Sequence, residues 1–210
     1  SNNTILNMKI DIKKSTKTVK YRDAIKFLEK RVSEVIHNKS NELIWILEHP
    51  STFTAGKTYK KDEIIDKNIN IIETSRGGKI TWHGPGQLIC YFVIDLNKRK
   101  KDIRKFLNII ENTIIEILKK YKINSFSDRK NVGIWVKKNN KIKKVAAIGI
   151  KIKRWVAYHG FSLNVNNNLD HYKKIIPCGI KNKGITNLNL IKNQKYTNIR
   201  KEILLTLSKN

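Results

Sequence analysis

The segment that most constrains this 210-residue chain is a glycine-rich stretch at residues 76–88. Four glycines and one proline fall within its first eleven residues, together with the polar side chains of Arg76, Thr81, His83 and Gln87. Glycine lets backbone N–H groups approach a ligand closely, and proline stiffens the chain. A turn between strands, which is the alternative, needs fewer glycines and polar groups. We therefore expect a binding loop on a rigid scaffold.

Hydrophobic periodicity predicts helices packed against a mixed sheet. Apolar residues recur at helical spacing over residues 21–37, 103–121 and 198–207. The run 88–96 is almost entirely apolar, which is typical of a strand buried on both faces. Further strands are expected at 43–47, 69–73, 132–136, 145–152 and 155–165, with a hairpin turn at Asn139-Asn140, a loop over 48–56 and a short helix over 171–176 capped by Asp170. The fold class predicted is α+β.

Length and hydropathy predict one domain, residues 1–210, with enough chain to form a core. Residues 1–20 are polar and predict either a flexible arm or an edge strand. No apolar run is long enough to span a bilayer, and nothing resembles a secretory signal. We therefore expect a cytoplasmic protein. An organelle such as a plastid stays open, because the chain starts at Ser1 and a targeting segment could have been removed.

The chain is strongly basic, with 44 Lys and Arg against 17 Asp and Glu and a formal net charge of +27. Lysines are spread along the whole chain among many Asn and Ile residues, a composition that AT-rich codons produce. Part of the charge is therefore compositional, and the remainder favours acidic protein partners. Nucleic-acid binding is an alternative of a different class, but no basic and aromatic reading motif accompanies the charge.

The two cysteines have different surroundings. Cys90 lies inside the apolar run and is expected to be an inert core thiol. Cys178 stands between Pro177 and Gly179, on a predicted turn where a thiolate can be reached by a substrate carbonyl. A small residue filling a turn explains this position equally well. Two cysteines make no disulfide framework, and no metal site is expected.

Candidate bases for a cysteine nucleophile are a lysine and three histidines. Lys144 precedes the small residues within 146–149, which let a ligand lie close to the strand. A partly desolvated amine there could transfer protons, although a solvated surface lysine is the commoner case. His49, His83 and His159 each lie beside glycine or proline and are alternative bases. No phosphate-binding motif accompanies them.

Taken together, these segments resemble the lipoyl(octanoyl) transferase (LipB) family. The matching stretches occur in the family's order between about residues 48 and 188: Glu48-His49-Pro50 with Ala55-Gly56, the whole of 76–88, Val132-Gly133-Ile134-Trp135-Val136, 144–149, His159-Gly160-Phe161-Ser162-Leu163-Asn164, and Pro177-Cys178-Gly179. The departures are small: Trp82 stands where an aromatic residue such as Tyr is usual, and the lysine-rich turn before Lys144 differs from the family's pattern.

The resemblance implies a biotin/lipoate protein ligase-like (class II synthetase-like) catalytic domain and an acyltransferase of lipoate biosynthesis. A cysteine matching Cys178 takes the octanoyl group from octanoyl-acyl carrier protein as a thioester. The group then passes to a lysine of lipoyl domains, in 2-oxoacid dehydrogenase E2 subunits and the glycine-cleavage H protein. Lys144 matches the family lysine that lowers the pKa of this cysteine and shuttles protons.

The resemblance also implies a substrate pocket and the partners of the reaction. No cofactor is implied, since 4'-phosphopantetheine is carried by the acyl carrier protein donor, and neither nucleic acid nor a membrane is expected as a partner. An ATP-dependent lipoate-protein ligase on the same fold is the alternative, and it would not need Cys178. The residues that match the family's acyl pocket are Arg76, Gly77, Gly78, Lys79, Ile80, Thr81, Trp82, His83, Ala147, Ile148, Gly149, Gly160, Phe161 and Ser162.

Overall fold

The structure is a computed structural model that describes residues 9–177 and 184–209, so the predicted nucleophile Cys178 lies outside the described residues. The helices are α1 (Tyr21–Ile36), α2 (Ile103–Lys120), α3 (Leu188–Ile191) and α4 (Ile199–Ser208). The strands are β1 (Ile10–Lys14), β2 (Glu42–Leu47), β3 (Thr52–Ala55), β4 (Ile71–Glu73), β5 (Ile80–His83), β6 (Gln87–Asp95), β7 (Phe126–Ser127), β8 (Ile134–Lys138), β9 (Lys141–Lys153), β10 (Val156–Asn164) and β11 (Gly184–Ile185).

Two mixed sheets organise the described part of the chain. The large sheet has the order β1-β2-β6-β10-β9-β8-β7, with β11 paired to β9. Its β1–β2 and β11–β9 pairs are parallel and its other pairs are antiparallel. The small sheet has the order β4-β3-β5. The predicted α+β class, a mixed sheet packed by helices, is confirmed.

The core lies on both faces of the large sheet. Helices α2 and α4 cover one face, where their apolar stripes pack with residues such as Phe92 and Phe161. Helix α1 covers the other face through Ala24, Leu28 and Val32, which pack against alternate residues of β2 and β6. Every residue of β2, β6 and β10 is buried, as the continuous apolar run at 88–96 predicts for a strand covered on both sides.

Long periodic elements match their predicted bounds closely. The ends of α1 and α2 lie within one residue of prediction, and β8 and β9 form the expected hairpin. Asn139 and Asn140 connect them with φ values of 52° and 61°, the left-handed pair of a type I′ turn. Residues 10–14 form the edge strand β1, which was one of the two alternatives for this terminus.

Three predictions about short segments are wrong. Residues 48–56 and 76–88 were expected to be loops, but they contain strands β3 and β5, which pair with each other. Four-residue strands carry too little periodicity to stand out beside glycine and proline. The helix expected over 171–176 is a 3₁₀ turn at Leu169–Lys174, and Asn168 caps it in place of Asp170 by accepting from the Asp170 backbone N–H.

Gly160 permits a close approach between β10 and β6. A Cβ at this position would lie 1.9 Å from the carbonyl oxygen of Cys90, and the residue has φ 156°. The preceding His159 has φ 69°, so the strand departs from regular geometry at both residues. Backbone atoms cannot move aside as a flexible side chain can. The central pairing of the sheet therefore requires glycine at 160.

We expect Gly160→Ala to destabilise the fold by about 1–3 kcal/mol or more, because the added methyl overlaps the backbone of β6. Urea unfolding followed by circular dichroism measures this. Gly184→Ala is the matched control, since its Cβ would meet nothing closer than 3.5 Å. Equal stability of the two variants would contradict the role given to Gly160.

Candidate active site

A cavity of ≈ 270 Å³ lies between the small sheet and the α1-covered face of the large sheet. Its volume is near the lower end of the roughly 300–1,000 Å³ typical of small-molecule sites. Residues 76–79 form one wall, and β9 and β10 form the opposite one. The lining residues are Tyr21, Thr58, Arg76, Gly77, Gly78, Lys79, Thr81, His83, Ile89, Tyr91, Lys130, Asn131, Val132, Lys144, Ala147, Ile148, Gly149, His159, Gly160, Phe161 and Ser162.

Fourteen of the sequence-predicted site residues meet at this cavity: Arg76, Gly77, Gly78, Lys79, Thr81, His83, Lys144, Ala147, Ile148, Gly149, His159, Gly160, Phe161 and Ser162. Ile80 and Trp82 do not line it. Side chains alternate across a strand, so Thr81 and His83 of β5 face the cavity, whereas Ile80 and Trp82 face away. Ile80 and Trp82 pack instead in the apolar cluster of the small sheet.

The Arg76 guanidinium holds the glycine-rich loop in shape. Its Nη2 donates to the carbonyl oxygen and the Oγ1 of Thr54 at 3.1 and 2.9 Å, and to the carbonyl oxygen of Lys79 at 2.8 Å. Its Nη1 donates to the carbonyl oxygen of Gly77 at 2.9 Å. Gly56 leaves space for the guanidinium, because a Cβ at this position would lie 2.8 Å from Arg76 Nη1. Arg76 therefore ties the loop to strand β3.

Lys144 presents a buried amine to the cavity. The residue is 5% exposed, and Nζ lies 5.6 Å from the centroid of the Trp135 ring. A Cβ at Gly133 would lie 2.3 Å from Lys144 Cε, so the missing side chain there makes room for the lysine. In the part of the chain that the structure describes, no carboxylate forms an ion pair with Lys144. Its charge is therefore available to a group inside the cavity.

The described residues on both sides of Cys178 are held by backbone hydrogen bonds, and those on the C-terminal side lie beside Lys144. Before it, the Ile176 N–H donates to the Glu63 carbonyl oxygen at 2.7 Å. After it, β11 pairs with β9 so that Ile185 lies beside Lys144, and the Thr186 N–H donates to the Lys144 carbonyl oxygen at 2.9 Å. Segment 178–183 is thus bounded by anchors on the Glu63 turn and on the strand of Lys144.

Two of the candidate histidine bases, His49 and His83, are buried and hydrogen-bonded. His49 Nδ1 lies 2.6 Å from the Val19 carbonyl oxygen, and its Nε2 lies 2.6 Å from the Tyr91 hydroxyl. His83 Nδ1 lies 2.7 Å from Gln87 Oε1. Burial lowers the pKa of His49 to about 4. Burial, followed by the nearby His49 and Arg76, lowers the pKa of His83 to about 3. Both imidazoles are neutral near pH 7 and are weak bases.

His159 differs because both of its buried ring nitrogens lack a hydrogen-bond partner among the described residues. The ring stacks on Tyr158, with centroids 4.8 Å apart. In a regular strand, consecutive side chains point to opposite faces, so Tyr158 and His159 could not stack. The positive φ of His159 breaks this alternation and brings its ring to the same side as Tyr158. Burial, followed by Arg76 and Lys151, lowers the pKa of His159 to about 3. The cavity therefore has a neutral imidazole with unused hydrogen-bonding capacity in its wall.

Several lining residues were not predicted as site residues. Tyr21, Ile89 and Tyr91 belong to the apolar patterns of α1 and β6, so the sequence indicated only core packing for them. Lys130 and Asn131 precede β8 in a segment with no motif. The sequence signal that could have indicated a polar site was the presence of Tyr21 and Tyr91 in these apolar patterns, because a buried phenol generally needs a polar partner.

Further properties of the described residues bear on the site. No group of three or more His, Cys, Asp or Glu side chains suited to a metal ion occurs among them. No helix in the described ranges is long and apolar enough to cross a membrane. Cys90 is a buried free thiol, as predicted, and burial raises its pKa.

Comparison with known proteins identifies the family. The model of the lipoyl protein ligase A/B catalytic domain matches residues 20–204. The chain belongs to this family. An octanoyltransferase of Wolbachia sp. subsp. Brugia malayi (strain TRS) is 41% identical over 175 residues, which cover 83% of this chain and 85% of the relative. An octanoyltransferase of Bartonella tribocorum is 41% identical over 200 residues, 90% of this chain and 82% of the relative.

The fold of this chain also occurs in solved structures of lipoate protein ligases. A structure of a bipartite lipoate protein ligase from Thermoplasma acidophilum superposes with a TM-score of 0.68, at 13% identity, over 96% of this chain and 83% of the other. The predicted lipoate-ligase fold is confirmed on this likeness. The relatives within the family confirm the predicted function, an octanoyltransferase of lipoate biosynthesis.

We expect the free energy of unfolding to fall as the pH drops from about 6.5 towards 4. In this window the unfolded chain binds protons at His49, His83 and His159, whereas the folded chain keeps these residues neutral. Each histidine contributes a slope of up to about 1.4 kcal/mol per pH unit. Urea titrations between pH 7 and pH 4 measure it.

The non-titrating variant His159→Asn provides the control, because Asn tolerates a left-handed backbone. Its stability should depend less steeply on pH than that of the unmodified chain. Identical slopes in the two proteins would show that His159 titrates normally when folded.

Proposed function

We propose that this octanoyltransferase works through a thioester on Cys178, with Lys144 as its proton-transfer partner. The octanoyl group comes from octanoyl-acyl carrier protein and leaves as an amide on a lysine of a lipoyl domain. The observation that carries the proposal is the buried Lys144 amine in the cavity wall, with the chain fastened beside it on the C-terminal side of Cys178.

In the first step the Cys178 thiolate attacks the donor thioester. The bond from Sγ to the acyl carbon forms, the bond from that carbon to the pantetheine sulfur breaks, and the leaving thiolate takes a proton. The Lys144 ammonium favours this step in two ways: its charge stabilises the attacking thiolate, and it can deliver the proton. The buried amine has no carboxylate to neutralise it among the described residues, which supports this role.

In the second step the ε-amine of the acceptor lysine attacks the Cys178 thioester. An amide bond forms, the bond between carbon and Sγ breaks, and the amine's proton passes to the sulfur through Lys144. Exchange between thioesters is nearly balanced, and transfer from a thioester to an amine is downhill. The reaction as proposed draws on no nucleotide, metal or other cofactor, and 4'-phosphopantetheine belongs to the donor.

The cavity suits an acyl chain of moderate length. Ala147 and Gly149 provide a wall with little side-chain bulk, and Ile89, which belongs to the α1-covered face, supplies apolar contact. Burying each methylene there contributes about 0.8 kcal/mol to acyl binding. Arg76 acts here as a positioning residue, because its guanidinium donates to carbonyl oxygens of the loop and of Thr54 in β3.

The surface at the cavity entrance suits an acidic partner. Lys79 and Lys130 line the cavity, and the whole chain has a formal net charge of +27. Positive charge around an entrance speeds encounter with an acidic carrier protein. The acceptors proposed are the lipoyl domains of E2 subunits and of the H protein. We propose the cytoplasm as the compartment of the reaction.

We expect Cys178→Ser to abolish the covalent intermediate and to lower octanoyl transfer to lipoyl domain by at least about 10³-fold, because a serine hydroxyl is a far weaker nucleophile than a thiolate. Intact-protein mass spectrometry after incubation with octanoyl-acyl carrier protein measures the adduct. The unmodified chain should gain the mass of one octanoyl group, localised to Cys178 by peptide mapping.

Cys90→Ser is the matched control, since Cys90 is a buried core thiol that should stay unmodified. Full transfer activity in Cys178→Ser would refute the thioester mechanism. If octanoate and ATP restored transfer in that variant, the protein would act instead as an ATP-dependent lipoate-protein ligase.

A further inference from the structure

The acyl cavity has an exposed rim and a buried end. Thr58, Lys130 and Val132 at one end are exposed to solvent. Lys144 lies near this rim, because its side chain packs against Gly133, the neighbour of Val132. The reacting carbonyl of an acyl chain held beside Lys144 is therefore near the rim. The tip of the chain points to the buried end.

The buried end is polar. Its residues are Tyr21, His83, Tyr91 and His159, which are at most 8% exposed, and we call these four residues the cavity floor. The Tyr21 and His83 rings stack with centroids 6.0 Å apart, and Gly160, next to His159, pairs with Tyr91 across β10 and β6. An octanoyl tip is a methyl group, which makes no hydrogen bonds. A polar floor is therefore not what an alkyl chain alone would require.

Three floor residues have unused hydrogen-bonding capacity. The neutral ring of His159 offers one N–H donor and one bare nitrogen, and both nitrogens lack partners among the described residues. The Gln87 Oε1 beside His83 Nδ1 can only accept, so Nδ1 carries the proton and Nε2 is an acceptor. His49 Nδ1 donates to a carbonyl oxygen, so its Nε2 accepts from Tyr91 and leaves the phenol lone pairs free.

We propose that the cavity floor is a hydrogen-bonding subsite that accepts acyl chains ending in a hydroxyl group better than alkyl chains of the same length. The proposal rests on the acyl transfer proposed above and extends it to a further class of substrate. A hydroxyl fits the floor because its O–H can be given to His83, His159 or Tyr91, and its oxygen can accept from the His159 N–H.

Chain length determines when this preference appears. A short chain ends among apolar residues such as Ile89 and Ala147, where a hydroxyl would be desolvated without a partner. A longer alkyl chain would press a methyl group against the floor and leave its nitrogens without hydrogen bonds. Sites built to bind a hydroxyl reject analogues that lack it far more strongly than apolar pockets separate chains by one methylene.

The test is a paired series of acyl carrier proteins transferred to lipoyl domain by the full chain. Octanoyl, nonanoyl, decanoyl and undecanoyl donors are each compared with the hydroxyacyl donor in which a hydroxyl replaces the terminal methyl. The ratio of kcat/KM, hydroxyacyl over alkyl, should rise about ten-fold or more from octanoyl to the longest chain still transferred, the scale of one unmade hydrogen bond. A flat or falling ratio would overturn the proposal.

A matched pair of variants assigns the effect to His159. His159→Gln and His159→Leu are close in size and meet the same positive φ, but only Gln makes hydrogen bonds. The rise in the ratio should persist in the Gln variant and disappear in the Leu variant. A rise that survives in both would exclude His159 from the subsite. If neither variant folds, the donor series measured with the unmodified chain still decides whether the hydroxyl preference exists.

The octanoyl donor separates this inference from the function on which it rests. Absence of octanoyl transfer by the unmodified chain would reject the proposed function itself. Normal octanoyl transfer with no change in preference along the series would reject the subsite alone.

Discussion

The hydrogen bonds of the Arg76 guanidinium are the interaction on which the site depends. They join the glycine-rich loop to β3, through acceptors on Thr54, Gly77 and Lys79. Hydrogen bonds to a charged donor are each worth about 1.5–3 kcal/mol. A loop with paired glycines would otherwise lose this shape to its own conformational freedom. With the arginine in place, residues 76–79 form a wall of the cavity without a packed core of their own.

The opposite wall depends on two glycines, because a side chain at either position would overlap a neighbouring group. Gly133 makes room for the Lys144 side chain, and Gly160 lets β10 pass close to Cys90. The irregular backbone beside Gly160 also turns His159 onto the same side as Tyr158. Buried polar groups so placed cost stability, which proteins accept mainly at functional sites. The same features thus explain the fold of β10, the shape of the cavity and its polar floor.

Sequence reasoning predicted most of the fold and much of the site, for identifiable reasons. Helices α1 and α2 and strand β6 have long apolar patterns, and the motifs of residues 76–88 carry a specific family resemblance. The short strands β3 and β5 were missed because their stability comes from pairing with each other. The direction of side chains within β5 was also hidden, so Ile80 could not be separated from Thr81. Tyr21 and Tyr91 reach the cavity through tertiary packing that no local pattern records.

The most direct test of the thioester mechanism is a crystal structure of the protein after reaction with octanoyl-acyl carrier protein. Electron density for the octanoyl group should be continuous with Cys178 Sγ, and the chain should lie between residues 76–79 and β9–β10 with its tip towards His159. Lys144 Nζ should lie within hydrogen-bonding distance of the thioester, roughly 3 Å. An unmodified Cys178, or an octanoyl chain bound outside this cavity, would contradict the mechanism.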